Sequence, residues 1–420
     1  MLVVGRPLRD WGAVAGDLRR SLKLYARGDR ERSRRLLIDS MVRLRVPPSP
    51  LPSFGEALDL LEREPEPAHR LADAADIIVP VHNGTAHLRR LLASLFLHTD
   101  ARHRIVLADD GSTDPEIATI LAEAATRPNV RLLTSPTNRG FVATVNRALN
   151  VTHAHAVILN SDTQVPAGWL ERLLAPFAAG SRIASTTPFS NAATIFSFPV
   201  PDQDHDLPPG LGLAHIDRAF ARLAPAAEKL ETPTAIGYCM GINRAAWLSC
   251  GPFDEAAFGR GYCEETDWCL RAESIGWRHI LVPNLFVYHA HGGTFANLER
   301  KALMEANLAT LHRRWPGYYR QLTTFRRRDP WATCRAAALL ALATAAEARP
   351  LVLGTGDEDR DVAIAGSAGR GTLRLQEGNR SGPTLVVVAR GPWRTSLLAA
   401  GQNDVERLRD LLDTIRSARY

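Results

Sequence analysis

From Asp76 onward the chain changes texture: short apolar runs alternate with amphipathic stretches, and each run is closed by a cluster of small polar residues. A pattern that switches between the strand and the helix period builds βαβ units. It constrains the middle of the chain to an α/β fold, a mainly parallel sheet flanked by helices. The expected strands are Ile77–Val81, Arg104–Ala108, Val130–Thr134 and Ala156–Leu159, then Ile183–Thr187, Tyr238–Asn243 and Ile280–Tyr288. The clearest helix start is Asp114-Pro115-Glu116, a capping aspartate followed by proline at the first helical position and an acid in the first turn. Ligands of such sheets sit beyond the carboxyl ends of the strands, so the polar residues closing each strand are where chemistry is expected.

The flanks differ. Residues 1–72 are expected to form a helical segment, with leucines between Leu18 and Leu37 at helical spacing and arginines between them. The run Val46–Pro52, rich in proline, then acts as a stiff linker before a short helix from Phe54 to Glu64. Residues 73–325 are expected to be the catalytic domain. Residues 326–420 are expected to be a small α+β module: short strand-like runs at Leu351–Leu353, Val362–Ala365, Thr372–Leu375 and Leu385–Val388, closed by a helix from Asp404 to Ser417.

With 45% hydrophobic and 23% charged residues, the chain is neither a disordered tail nor a small disulfide scaffold. Its formal charge of +6 comes from 51 basic and 45 acidic residues, and lysine occurs only at Lys23, Lys229 and Lys301. The arginine fork suits planar oxyanions such as phosphate. Many arginines lie in the N-terminal helices and after Leu298, where anionic lipid or a charged glycan is an alternative partner. Five cysteines without close pairing argue for reduced thiols. No secretory signal is discernible, and the longest apolar run, Ala336–Ala346, is about half a membrane span. A cytoplasmic protein is expected, with peripheral contact at a membrane surface as a further possibility and no nucleic-acid partner.

Three strand ends carry the chemistry. The first closes in Pro80-Val81-His82-Asn83-Gly84 and the second in Asp109-Asp110-Gly111-Ser112-Thr113-Asp114, a polar rim where a base or ribose can hydrogen-bond. The fourth closes in Asn160-Ser161-Asp162-Thr163, hard oxygen ligands suited to Mg²⁺ or Mn²⁺ bridging a diphosphate. Farther on, Glu264-Glu265-Thr266-Asp267 opens a helix, where the dipole favours ionised carboxylates and one of them can accept a proton. Glu264 and Asp267 share a helix face, and Glu265 is turned about 100° from Glu264. No phosphate loop or dinucleotide fingerprint is present, which disfavours an ATPase or a dehydrogenase.

These stretches, with Asn138-Arg139-Gly140-Phe141, Asn146, Gly251-Pro252-Phe253-Asp254-Glu255 and His289-Ala290-His291-Gly292-Gly293-Thr294, resemble the family 2 glycosyltransferases of the GT-A fold, in particular their rhamnosyl- and galactofuranosyltransferases. The resemblance runs in the family's order from Asp76 to Thr294. It implies a Rossmann-like GT-A domain that moves a sugar, with inversion, from a nucleotide-diphosphate donor to a glycan or lipid-linked acceptor in cell-surface polysaccharide synthesis. By the same resemblance Pro80, His82, Asn83, Asp109, Asp110, Asn138, Arg139 and Asn146 belong to the nucleotide site. Asn160 and Asp162 form a DxD-like motif, with Asp162 a ligand to Mn²⁺ or Mg²⁺ and His289, or failing it His291, a second ligand or a diphosphate contact. Glu265 maps to the catalytic base, with Glu264 and Asp267 as the other carboxylates in reach. Asn160 stands where the family often has an acid, which keeps open a second reading, a non-catalytic nucleotide-sugar-binding scaffold.

Overall fold

The computed structural model describes residues 8–63, 71, 73–178, 182–224, 230–290, 297–345, 352–355, 371–376, 384–390, 393–399 and 402–417. Three helices come first: α1 (Leu8–Ala26), α2 (Arg30–Arg45) and α3 (Phe54–Glu62). The next stretch holds β1 (Asp76–Val81), α4 (Thr85–His98), β2 (Arg104–Asp110), α5 (Pro115–Ala124), β3 (Val130–Ser135) and α6 (Phe141–Leu149). It continues with β4 (Ala156–Leu159), β5 (Thr163–Gln164), α7 (Trp169–Ala178), β6 (Ile183–Phe189), α8 (Leu213–Phe220) and β7 (Cys239–Ile242). Then come α9 (Arg244–Cys250), α10 (Glu255–Phe258), α11 (Glu264–Ser274), β8 (Arg278–Phe286) and β9 (Tyr288–His289). The last part is α12 (Asn297–Arg314), α13 (Tyr318–Arg328), α14 (Ala332–Thr344), β10 (Val352–Thr355), β11 (Gly371–Gln376), β12 (Thr384–Arg390), β13 (Trp393–Ala399) and α15 (Gln402–Ser417).

By their internal packing these elements form two compact units, residues 1–50 with 296–330, and residues 51–295 with 331–420. That division crosses the boundaries expected at 72 and 325. In the first unit the helical pattern expected to run through Leu18–Leu37 breaks at Gly28, whose φ of +82° suits glycine, and Asp29 caps α2 by accepting from the Arg32 N–H at 3.2 Å. α1 and α2 then pair as an antiparallel hairpin, held inside by a Ser21–Ser33 hydroxyl contact at 2.9 Å and by Asp17, which pairs with Arg43 at 3.3 Å.

In the second unit a seven-stranded sheet has the order β3-β2-β1-β4-β7-β6-β8. β3, β2, β1 and β4 are parallel, β7 runs antiparallel to both its neighbours, and β6 pairs parallel with β8. The expected strands are all present, the last of them split into β8 and β9. β1 is buried at all but one position because helices cover both faces, which is why its sequence is a continuous apolar run rather than an alternating one. Ile78 and Val106 of the sheet pack with Val142 and Val145 of α6 and with Phe253 and Trp268. At the opposite end from the site, buried Asp76 takes both prongs of Arg104 at 2.6 and 2.8 Å and the backbone N–H groups of His153 and Ala154.

The C-terminal strands form a second sheet, β10-β11-β12-β13. Three of the four expected runs fall in it; Val362–Ala365 lies outside the described residues, and β13 was not expected. This sheet packs within the same unit: the Trp393 indole donates to the Asp206 carbonyl at 3.0 Å and its ring meets Phe198 edge-on at 5.1 Å. The alanine-rich run is α14, buried along nearly its whole length. Among the described residues no helix is long and apolar enough to cross a membrane.

Candidate active site

The nucleotide-end residues gather at the carboxyl ends of β1 and β2, and the geometry sorts them by what they still have to offer. Asn83, at a φ of +58°, accepts from the Thr113 and Asp114 N–H groups at 2.9 and 3.1 Å while its own N–H donates to Ser112 Oγ. It holds the Ser112–Asp114 turn against β1. Asp110 is buried and accepts from the Arg139 and Gly140 N–H groups at 2.7 and 2.8 Å. Asn138 closes the same turn through its Oδ1 on the Gly140 N–H at 3.0 Å. Asn146 clamps the backbone of Phe253 at both N–H and carbonyl, at 3.0 and 2.9 Å.

That leaves His82, Asp109 and Arg139 with polar groups to spare, whereas Pro80, opposite Ala108 in the sheet, has no polar side chain. His82 Nδ1–H donates to the Asp110 carbonyl at 3.0 Å, and Asp109 uses only Oδ1, to accept from Ser112 N–H. The Arg139 guanidinium, more than half exposed, meets Glu255 only at 3.6 Å. Two glycines allow this packing. A Cβ on Gly111 would lie 2.5 Å from the Thr137 carbonyl carbon, and one on Gly140 would lie 2.6 Å from Arg260 Cα.

At the end of β4 and in β9, Asp162 and His289 come together, with His289 Nε2 3.3 Å from Asp162 Oδ1. The small β5–β9 pairing, Thr163 opposite His289, sets this approach. Nδ1–H of His289 donates to the Ala192 carbonyl at 2.6 Å, and Asn191 brackets the His289 backbone at 2.9 and 2.8 Å, so Nε2 is the nitrogen presented to Asp162. Burial pulls this imidazole down, but the Asp162 carboxylate and the Ala192 carbonyl outweigh burial and leave it above its ordinary value. Asn160 Oδ1, two residues before Asp162, is a buried acceptor without a hydrogen-bond donor among the described residues, and Asp162 Oδ1 meets His289 Nε2 at 3.3 Å. Buried oxygens beside an imidazole nitrogen fit a divalent cation. No cluster of three or more His, Cys, Asp or Glu is present among the described residues, so the protein alone offers a partial shell. His291 and Gly292–Thr294 lie outside the described residues.

The acids of α11 divide by face, as the spacing predicts. Asp267 is fully buried and pairs with Arg271 Nε at 2.9 Å, while Arg271 also donates to the carbonyls of Cys250 and Pro252. Asp267 therefore ties α11 to the loop after α9. Glu264 is also buried, and Glu265 on the neighbouring face is half-buried. Glu265 Oε1 accepts from the Gly237 N–H at 3.3 Å, and the Oε2 atoms of both glutamates have no donor. Glu264 lies well above the ordinary carboxylate range, through burial and then through the charge of Glu265, and Glu265 is raised by burial against the opposing Gly237 N–H. Burial at Glu264 opposes the ionisation that the helix dipole favours in this acidic first turn.

Three consecutive residues before α11, Gly261, Tyr262 and Cys263, have positive φ values of 129°, 73° and 76°. For Tyr262 and Cys263 this is strained backbone, on the order of 1–3 kcal/mol each. It turns the chain so that both glutamates enter at the first helical turn.

Gly237 and Tyr238 join the two halves of the site. Gly237 donates to Glu265; Tyr238 stacks its ring on His289 at 5.2 Å, and its carbonyl accepts from Asn160 N–H at 2.9 Å. A Cβ on Gly237 would meet Phe141 Cζ at 3.3 Å and Glu265 Oε1 at 3.4 Å. Tyr238, Asn191 and Phe141 were not singled out as site residues by the sequence. Tyr238 and Asn191 flank no motif, and only the folding of β6, β7 and β9 against one another brings them to His289.

Residues 76–248 match the family model described as glycosyl transferase family 2. N-acetylglucosaminyl-diphospho-decaprenol L-rhamnosyltransferase of Mycobacterium tuberculosis is 28% identical over 240 residues, 52% of this chain and 76% of the relative. Pre-mycofactocin glycosyltransferase of the same organism is 27% identical over 258 residues, 60% of this chain and 49% of the relative, so the chain spans about half that protein's length. Among solved structures, a mannosyltransferase from Pyrobaculum calidifontis in complex with GDP-Man and Mn²⁺ aligns with a TM-score of 0.45 at 18% identity, covering 70% of this chain and 82% of that one. That overlap adds nothing to what the sheet order already establishes.

Proposed function

We propose that this protein, a glycosyltransferase whose residues 76–248 form a family 2 domain, transfers one sugar with inversion from a nucleotide-diphosphate donor to an acceptor hydroxyl. The single observation that carries the proposal is the Gly237–Tyr238 bridge. Its support is that Gly237 N–H donates to Glu265, whose Oε2 has no donor among the described residues, while the adjacent Tyr238 stacks on His289 beside Asp162.

In this reading Pro80, His82 and Asp109 hold the nucleoside, and the exposed Arg139 guanidinium lies at the rim for an anionic donor group. Asp162 and His289 would hold a divalent cation, which would supply neutralisation of charge on the leaving diphosphate. Glu265 accepts the acceptor hydroxyl's proton as that oxygen bonds to the anomeric carbon; the bond from that carbon to the diphosphate oxygen breaks, and nucleoside diphosphate departs. Glu264, raised the further of the two by burial and by the charge of Glu265, is the neighbour that holds a proton. A lipid-linked acceptor is the first to test, because the rhamnosyltransferase relative is named for one. A scaffold has no use for two buried carboxyl groups without full partners, since each costs stability.

The test is a panel of UDP-, GDP- and dTDP-sugars with Mn²⁺ and a polyprenyl-diphosphate-sugar acceptor, followed by NMR of the product's anomeric centre. One donor giving product of the opposite anomeric configuration supports the proposal. Product that retains the donor's configuration, or nucleotide-sugar binding with no transfer to any acceptor, overturns it.

A further inference from the structure

α1 is built inside out. The residues it buries against α2 are Val14, Asp17 and Ser21, whereas Leu18, Leu22 and Tyr25 stand 43, 70 and 60% exposed. Those three are spaced i, i+4, i+7 and so form one continuous apolar stripe, about 90° around the helix from the buried face. Arg19 and Lys23 follow Leu18 and Leu22 by one residue each and project about 100° further round, on the solvent side. Arg30 lies over the Tyr25 ring at 5.7 Å, so the aromatic end of the stripe is itself capped by a cation. On α2, Leu37 and Met41 are also exposed, again one turn apart.

Charge says what covers this face. Between Leu8 and Arg45 there are eleven basic and five acidic residues, a net of +6, equal to that of the entire chain. Asp17 is buried under Arg43 and Arg20, which removes one of the few local acids from the surface. Apolar side chains beside arginine and lysine, on a helix too polar overall to be buried, are the chemistry of an element lying in the headgroup region of an anionic bilayer.

We propose that α1 is a membrane-surface helix that docks this protein on anionic phospholipid, with Leu18, Leu22 and Tyr25 entering the acyl boundary and Arg19 and Lys23 meeting the headgroup phosphates. The proposal stands apart from the sugar-transfer reading, since none of its residues belongs to the candidate active site.

The experiment is co-sedimentation of the full chain with phosphatidylcholine vesicles, with or without about one third phosphatidylglycerol, over a range of salt. The expected result is binding to the anionic vesicles alone, weakening as salt rises. Arg19→Gln and Lys23→Gln should each weaken it about fivefold. Leu18→Ser/Leu22→Ser should abolish it with the circular dichroism spectrum and thermal midpoint of the wild type retained; a melted double variant is replaced by Leu22→Gln alone, which should bind at least tenfold more weakly. Equal binding to neutral vesicles, no binding to either, or undiminished binding by the leucine variants overturns the proposal. So does a concentration-dependent dimer of the wild type that Leu22→Gln dissociates, because a second copy would then own the stripe.

Discussion

If Glu265 is the base and Glu264 its protonated neighbour, exchanging each for glutamine separates them. Glu265→Gln removes the only group on α11 that is both within the site and ready to take a proton. Loss of a general base lowers turnover by about 10² to 10⁴, equivalent to about 2.7–5.4 kcal/mol of barrier. Donor binding should be nearly unchanged, because the substitution is isosteric and the nucleotide residues lie on β1 and β2. Glu264→Gln should do little to turnover, within about threefold, since it keeps an uncharged group of the same size next to Glu265.

The pH dependence tells the same story. Glu265 is held above the ordinary carboxylate value, so kcat/KM should rise with pH through a limb displaced to higher pH than a free glutamate would give. That limb should survive in Glu264→Gln and vanish in Glu265→Gln. Stability supplies an independent sign. Glu264 has its folded-state pKa raised above the ordinary 4.5, so between those two values the native state binds more protons than the unfolded one and stability falls as pH rises. Below the ordinary value the contribution is fully present, and Glu264→Gln should flatten this decline. Urea unfolding at about pH 5 and about pH 8, beside single-turnover rates, checks both arms. Full turnover in Glu265→Gln, or a Glu264→Gln enzyme as impaired as Glu265→Gln, would refute the assignment.

Asn146→Ala should destabilise the protein by roughly 2–6 kcal/mol, because it strands both backbone groups of buried Phe253; chemical denaturation measures this, and Asn146→Asp should not rescue it. Gly140→Ala forces a Cβ to within 2.6 Å of Arg260 Cα at a φ of +92°. It should cost at least about 2 kcal/mol and depress turnover as well, since the Arg260 loop leads directly into α11. Asp162→Asn should keep the thermal midpoint within a few degrees while abolishing Mn²⁺ binding seen by calorimetry or electron paramagnetic resonance. Breaking the Arg172–Asp217 pair, buried on both sides and closed at 2.7 Å, by Asp217→Ala should cost about 3–5 kcal/mol, read from urea unfolding, and leave the donor affinity of the folded fraction intact.

The polar strand ends were legible in the sequence because strand and helix periods are local, and so are the turn residues that join them. Asp114 caps α5 as its motif predicts, accepting from the Glu116 N–H at 3.0 Å, since a cap involves only its own first turn. The candidate residues for chemistry could be named from the sequence, but how burial and hydrogen bonding divide them could not. Asp109 and Asp110 are adjacent and chemically identical, yet burial and two backbone donors make the second a fixture of the Arg139–Gly140 turn. Likewise Asp267 shares an acidic tetrapeptide with Glu265 and is sealed in by Arg271 four residues on.

The sequence by itself determined the α/β architecture, the positions of its strands and the set of candidate carboxylates, all fixed by interactions within a few residues of chain. Tertiary structure alone decided which of those carboxylates burial raises most, which nitrogen of His289 meets Asp162, and that Gly237–Tyr238 links them. It also placed the C-terminal strands in the same compact unit as the main sheet. Those features depend on burial and on partners far apart in the chain, such as Trp393 and Asp206, 187 residues apart. Electrostatic work and packing are set by what surrounds a group in space, and a linear pattern does not carry that neighbourhood.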